Sequence, residues 1–336
     1  MRCQRSRLLT RQLAQMLSEG AFMSPSSISQ TQPQPQTASF PGSWLVPDWP
    51  GIAGIHALCT TRDGGVSQSP WGSMNLGDHV GDEPAHVQRN RELLGNVIAE
   101  QTPGACPVFL QQVHGVDVLA LDGGNVKQSS GAAFDACVTH EAGVVCTIMV
   151  ADCLPVLLAH QSGLVVGAAH AGWRGLAGMP PGRSAQQGPL PDGVLESLFR
   201  SFCHEVHAAS AQDAIESEGL KAIAARTQAW LGPCIGPQSF EVGAEVREIF
   251  LAHDEQAARY FQLLEGTEGR KYLANLPQLA RQRLNALGIT QIYGNDGSQQ
   301  WCTVSNESRF FSHRRDAGRL GSSGRLAACI WRDGAV

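Results

Sequence analysis

The sequence has no run of about 18 consecutive apolar residues, so no transmembrane helix is expected. It has no surplus of positive charge. The net charge is −5 and the pI near 6.1, which argues against nucleic acid or an anionic membrane as the main partner. The ten cysteines, at 3, 59, 106, 137, 146, 153, 203, 234, 302 and 329, include no Cys-Xaa-Xaa-Cys pair and follow no regular spacing. A chain of 336 residues needs no disulfide staples, so a reduced, cytoplasmic protein is expected. No internal repeat occurs, and strands and helices do not alternate as a doubly wound sheet requires. The N-terminus lacks the apolar core of a secretory signal.

What is present is a chain 43% hydrophobic with 37 glycines, suited to a folded, loop-rich protein. Residues 1–39 stand apart. Arg2, Arg5, Arg7 and Arg11 face a single acid, Glu19, and Ser24–Ser39 is rich in Ser, Gln and Pro. Such sequence builds no core and reads as a disordered or targeting-like extension, with the folded domain at 40–336. Val144–Val150 reads as a buried strand, and Asp192–Cys203, Glu216–Leu231 and Leu276–Leu287 carry helical periodicity, the last ended by Gly288. Met179–Pro191 and His204–Gly219 read as insertions, as surface loops or solvated helix. His204 and His207, three apart, therefore read as surface side chains.

The densest chemistry lies mid-chain, in Ala151-Asp152-Cys153-Leu154-Pro155 and His170-Ala171-Gly172-Trp173-Arg174-Gly175. Leu154–Ala159 and Leu164–Ala169 read as two strands joined by His160-Gln161-Ser162-Gly163, a turn by composition. With the turn centred between Gln161 and Ser162, Cys153 and His170 pair across the hairpin, Cα atoms about 4.5–5.5 Å apart. His114, in Gln111-Gln112-Val113-His114-Gly115, is a third candidate. A Cys–His–His set leaves one tetrahedral position open, the pattern of catalytic zinc. Taken without His114, the pair fits a nucleophile and its base equally well.

Further markers surround these: Thr61-Arg62-Asp63-Gly64-Gly65, Asn75-Leu76-Gly77, Asn90-Arg91, Gly232-Pro233-Cys234-Ile235-Gly236-Pro237, Phe310-Phe311-Ser312-His313-Arg314-Arg315-Asp316 and Gly324-Arg325. In this order, from about Gly54 to Trp331, the chain closely resembles the YfiH/laccase-domain family, once called multicopper polyphenol oxidases and understood as purine nucleoside phosphorylases. The resemblance implies an α+β fold of two mixed β-sheets packed together and flanked by helices, in a single large domain. It implies zinc on His114, Cys153 and His170. The implied reaction is phosphorolysis of adenosine, inosine and S-methyl-5′-thioadenosine, with adenosine deaminase activity besides.

Phosphorolysis needs a phosphate site, and arginine binds phosphate through parallel N–H bonds. Arg62, Arg174, Arg314 and Arg315 are the candidates, with Arg174 and Asp152 in catalytic roles. Asn75 is a candidate for a ribose hydroxyl, and Asp135 for lining the site. Arg325, at the start of an apolar strand, reads as a structural partner, and Cys234 as a cavity wall. Two positions depart from the family's usual tyrosines: His313 and Phe240. A copper polyphenol oxidase is the alternative, since thiolate and imidazole take Cu²⁺ readily in vitro. The chain, however, contains no His-Xaa-His to build a trinuclear cluster. A Cys–His hydrolase or amidase is a third reading, which leaves His114 without a role.

Overall fold

An unbroken apolar strand implies burial on both faces. Val144–Val150 is such a strand in the computed structural model, with all seven residues buried. The structure describes residues 41, 43–179, 182, 192–212, 219–266 and 270–334. The expected extension at 1–39, and most of the expected insertion at 179–191, lie outside these. Among the described residues no helix is long and apolar enough to cross a membrane.

The strands are β1 (Ile55–Cys59), β2 (Cys106–Phe109), β3 (Val118–Ala120), β4 (Ala136–Thr139), β5 (Val144–Val150), β6 (Leu154–His160), β7 (Val166–Ala171), β8 (Thr227–Leu231), β9 (Glu241–Gly243), β10 (Phe261–Leu264), β11 (Lys271–Ala274), β12 (Gln291–Gly294) and β13 (Leu326–Arg332). One mixed sheet has the order β1-β13-β5-β2 and a second β12-β8-β6-β7-β4-β3. The α+β class with two mixed, packed sheets is therefore observed. A small antiparallel sheet, β10-β11-β9, is additional.

The two-residue period of a strand sorts side chains into layers. From β5, Ile148 and Val150 join Leu157 and Ala159 of β6 and Ile330 of β13 in the core between the sheets. Val145 and Met149 point the other way, into a core with Leu94 and Ile98 of the helix Pro84–Gln101. On the far side of the larger sheet, Val156 and Leu158 meet Leu198 and Phe202 of the helix Val194–Gln212, and Leu279 and Leu284 of Leu276–Ala286. The result is helix, sheet, sheet, helix, with each fully buried Leu or Ile contributing roughly 1.5–3 kcal/mol. The last helix begins where expected because Asn275 accepts the Gln278 N–H, with proline in its first turn.

Three expectations need correction. Of the helix expected at 216–231, residues 216–218 lie outside the described residues, and the rest is a short helix, Leu220–Ala225, followed by β8, whose five residues are all buried between β6 and β12. A short apolar run carries no period that separates a core strand from a helix. Residues 204–212 are not a solvated insertion but continue the helix Val194–Gln212. His204 is exposed, yet Val206 packs into the core and Glu205 reaches His140. Finally, the hairpin register is shifted by two: His170 pairs with Pro155 and Ala171 with Leu154, so the second strand is Val166–Ala171. A two-residue shift preserves the face, whereas a shift of one would have reversed it. Cys153, just before β6, thus stays on the side of the sheet that His170 faces.

Candidate metal centre and its cavity

The chain leaves regular structure at the open end of the β6–β7 hairpin, and the site forms there. Two non-glycine residues among those described have positive φ: His114 (60°) and Asp152 (89°). Each such conformation costs of order 1–3 kcal/mol and persists only where surrounding contacts over-determine it. Those contacts are visible. The Asp135 carboxylate accepts the consecutive backbone N–H groups of Val113 (3.2 Å), His114 (2.9 Å) and Gly115 (2.6 Å), a nest closed around an anion. Gln112 fixes the same loop to the end of β5, donating to the Met149 carbonyl and accepting the Met149 N–H, both at 2.7 Å. On the other side, Asp152 accepts from Thr303 Oγ1 and from the Arg314 N–H, each at 2.6 Å.

The structure brings His114, Cys153 and His170 together, their ligand-type atoms all within 4.8 Å of one another. Cys153 Sγ lies 3.7 Å from His114 Nε2, and the two imidazoles meet edge to face at 4.8 Å. Two tetrahedral ligands at 2.3 Å (S) and 2.0–2.1 Å (N) from zinc stand about 3.6 Å apart, so the donor set fits the ion. His170 Nδ1 donates to Asp135 Oδ1 at 2.8 Å, which leaves Nε2 for the site. Gly172 closes the cradle: a Cβ there would lie 2.9 Å from Cys153 Sγ and 3.2 Å from His114 Cδ2.

Electrostatics follow the geometry. Burial opposes the Cys153 thiolate, but His170 and His114 outweigh it and bring the pKa down to about 6. Burial opposes the His170 imidazolium too, yet Cys153 and Asp135 raise it to about 9. Asp135 is held below the usual carboxylate range: its burial is outweighed by His170 and the Gly115 and Val113 N–H groups.

A cavity of about 350 Å³ opens over these residues. Trp173, Ile235, Phe240 and Leu276 supply apolar walls, and His79, Gln112, Asp152, His313, Arg314 and Arg325 polar ones. Ser312 caps the helix His313–Leu320 by accepting the Arg315 N–H, which sets His313 and Arg314 at its first turn, facing the cavity.

Several expected substrate residues sit elsewhere. Asp135 is fully buried behind His170, with both oxygens taken by nest and imidazole, so it supports ligands and does not line the cavity. Asn75 is also fully buried, its amide spent on Gly77, Asp82 and the Arg325 N–H. Arg62 donates to the carbonyls of Gly72 and Glu307. Arg315 is committed to Asp316 and to the carbonyls of Thr303 and Phe310. Arg174 stacks on Trp173, 4.4 Å from the ring centroid, and is not among the residues lining the cavity. Arg325 reverses its expectation: it does line the cavity. Cys234 is fully buried, its thiol pushed up by burial, and its neighbour Ile235 provides the wall. His79, two residues beyond Asn75-Leu76-Gly77, was missed, and Trp173, within His170-Ala171-Gly172-Trp173-Arg174-Gly175, was given no role.

The chain is similar to known proteins over most of its length. Residues 56–185 and 199–333 match the family described as multi-copper polyphenol oxidoreductase laccase. The chain is 42% identical over 290 residues to the purine nucleoside phosphorylase YfiH of Escherichia coli K12, covering 85% of this chain and 98% of that one. Among solved structures, the Neisseria meningitidis protein NMB0706 superposes with a TM-score of 0.66 at 37% identity, covering 87% of this chain and all of that one. YlmD from Geobacillus stearothermophilus superposes with a TM-score of 0.64 at 30% identity, covering 87% and 96%.

Proposed function

The chain belongs to the multi-copper polyphenol oxidoreductase laccase family, and from that membership we propose that it is a zinc-dependent purine nucleoside phosphorylase. Its substrates on this reading are adenosine, inosine and S-methyl-5′-thioadenosine, each converted with phosphate to free base and pentose 1-phosphate. Adenosine deamination is a second activity of the same site. The similarity to the Escherichia coli phosphorylase across nearly its whole length, with the His114–Cys153–His170 cluster at the floor of a nucleoside-sized cavity, is the observation that carries the reading.

In phosphorolysis a phosphate oxygen forms a bond to C1′ while the C1′–N9 bond breaks. The electron pair leaves with the purine, which gains a proton. In deamination water adds at C6 and ammonia leaves. Neither reaction changes an oxidation state. The apolar walls Trp173, Ile235, Phe240 and Leu276 suit a flat base and exclude water from it. Asp152, fixed by Thr303 and the Arg314 N–H, lines the cavity with one bond on each oxygen and is placed to hold a proton or a hydroxyl. Asp135 keeps the Nδ1 proton on His170 and so presents Nε2. Zinc held by His114, Cys153 and His170 would supply a Lewis acid at the cavity.

The donors favour a single ion over a copper cluster, because among the described residues one group of three such side chains converges. Thiolate ligation also suits reduced cytoplasmic conditions, and the nine described cysteines are all free. The Asp135–His170–Cys153 line does resemble a nucleophilic triad, which supports the hydrolase as a second reading. That reading gives His114, 3.7 Å from the sulfur, no task. The test combines metal analysis of the purified protein with base release from adenosine, with and without phosphate. Phosphate-dependent adenine release, lost together with zinc in Cys153→Ala, is the expected result. Base release independent of phosphate refutes the phosphorylase. Covalent trapping of Cys153 in the zinc-loaded enzyme during turnover supports the hydrolase instead.

A further inference from the structure

We propose that Arg325 is the guanidinium that receives phosphate, and that the Asn75–Gly77 turn holds it at the cavity for that purpose. The assignment rests on the phosphorylase reading and deepens it. Phosphate brings negative charge into a partly apolar cavity, and a fixed cation already poised there lowers the cost of admitting it.

The arginines around the site differ in what their nitrogens already hold. Arg62 and Arg315 are occupied by carbonyls and by Asp316. Arg91, in a neighbouring cavity of about 560 Å³, is spent on the Leu76 carbonyl (3.0 Å), Asp78 (3.2 Å) and the face of Phe109. Arg314 lines the site, but its guanidinium reaches back to the carbonyls of Ser239 and Glu241 and lies over Phe240. Arg325 uses Nη1 alone, donating to the carbonyls of Ser323 (2.9 Å) and Gly324 (3.1 Å). Among the described residues its Nε and Nη2 have no protein acceptor, and no carboxylate pairs with it. Nε and Nη2 form one edge of the guanidinium, an edge whose N–H groups donate side by side to two phosphate oxygens.

The position is built. Asn75 Oδ1 accepts both the Gly77 N–H (3.0 Å) and the Arg325 N–H (2.9 Å), and the Leu76 N–H donates to the Arg325 carbonyl (3.1 Å). Asn75 is itself held by its bond to Asp82 (2.8 Å) and by Asn90, which donates to its carbonyl (2.8 Å). The aliphatic stem of Arg325 lies on Gly77 so closely that a Cβ there would come within 2.7 Å of its Cγ. Burial works against the Arg325 charge, with Cys153 and Asp152 supporting it; burial and Arg325 together push the His79 pKa down. Asn75 is thereby a positioning residue for Arg325, not a ribose ligand.

The experiment measures KM for phosphate and for adenosine, with zinc content, in wild-type enzyme, Arg325→Gln, Arg325→Lys and Gly77→Ala. Loss of a charge-assisted bidentate contact should raise the phosphate KM of Arg325→Gln roughly 10–100-fold. Arg325→Lys, which keeps the charge without the fork, should show a smaller rise, and Gly77→Ala a rise with the charge intact. Zinc content and adenosine KM should stay near wild type, and guanidinium ion should restore part of the Arg325→Gln rate, a rescue that a structural role does not show. If Arg325→Gln does not fold, the lysine and alanine variants carry the same comparison. Wild-type phosphate dependence with unchanged phosphate KM in the folded variants overturns the Arg325 assignment alone. Wild-type base release indifferent to phosphate overturns the phosphorylase reading, and the assignment with it.

Discussion

Asp135→Asn is nearly isosteric, yet it strikes the point where two candidate ligands are tied together. The carboxylate accepts four bonds. Oδ1 takes the His114 N–H at 2.9 Å and His170 Nδ1 at 2.8 Å; Oδ2 takes Val113 at 3.2 Å and Gly115 at 2.6 Å. An amide has one acceptor oxygen, so in either orientation its NH₂ faces two donors. Two buried donors without acceptors, at about 1–3 kcal/mol each, give a loss of roughly 2–6 kcal/mol. The residue also steadies the positive φ of His114 and the tautomer of His170, and such supporting contacts are worth roughly 10–100-fold in metal affinity. Zinc affinity by competition with a chromophoric chelator, beside denaturant unfolding of the metal-free protein, separates the two effects. A variant that binds zinc and unfolds as wild type does would refute the account of Asp135 as the brace of the site.

Other consequences are as direct. In the metal-free protein Cys153 is a thiolate above about 6 and His170 an imidazolium below about 9, so their ion pair spans that window. Its contribution to stability is lost as pH falls through the lower value, where the thiolate protonates, and as pH rises through the upper one, where the imidazolium deprotonates. Alkylation of Cys153 in metal-free protein should therefore rise through about 6 and be blocked by zinc; a midpoint near the free-thiol value of about 8.5 contradicts the geometry. Gly172→Ala should reduce metal affinity roughly tenfold or more while leaving the fold intact, since its Cβ meets Cys153 Sγ at 2.9 Å; full metal loading shows that the cradle is looser than described. Val206→Asp should cost roughly 3 kcal/mol or more by burying an unpaired charge, whereas His204→Asp, on the exposed face of the same helix, should stay within about 0.5 kcal/mol. Equal unfolding midpoints for these two would return residues 204–212 to a solvated segment.

Much of the fold was legible because it depends on short-range patterns. The apolar run of Val144–Val150 and the capped, periodic helix at Leu276 are set by neighbours a few residues away. Thr227–Leu231 was not legible, since five buried residues give no period, and only the strands on either side make it a strand. The continuation of the helix through Val206 was hidden for a related reason: polar, small residues surround Val206 and Ala209, the two positions that meet the core.

The site divides the same way. Cys153 and His170 were placed on one face by the alternation of a hairpin, and this survived an error of two in register, because side chains return to the same face every second residue. Residue order alone set which side-chain types were available and that a thiol and an imidazole would share a side. Tertiary structure decided which polar groups have anything left to offer. Arg62 finds the Glu307 carbonyl 245 residues away, Asp152 finds Thr303 151 residues away, and Asn75 finds Arg325 250 residues away. A guanidinium or carboxylate keeps the same chemistry in every fold. Whether its hydrogen bonds are spent on the scaffold or left facing a cavity depends on chain segments that sequence spacing does not bring together, and here that left Arg325 facing the cavity while Arg62 and Arg315 became part of the frame.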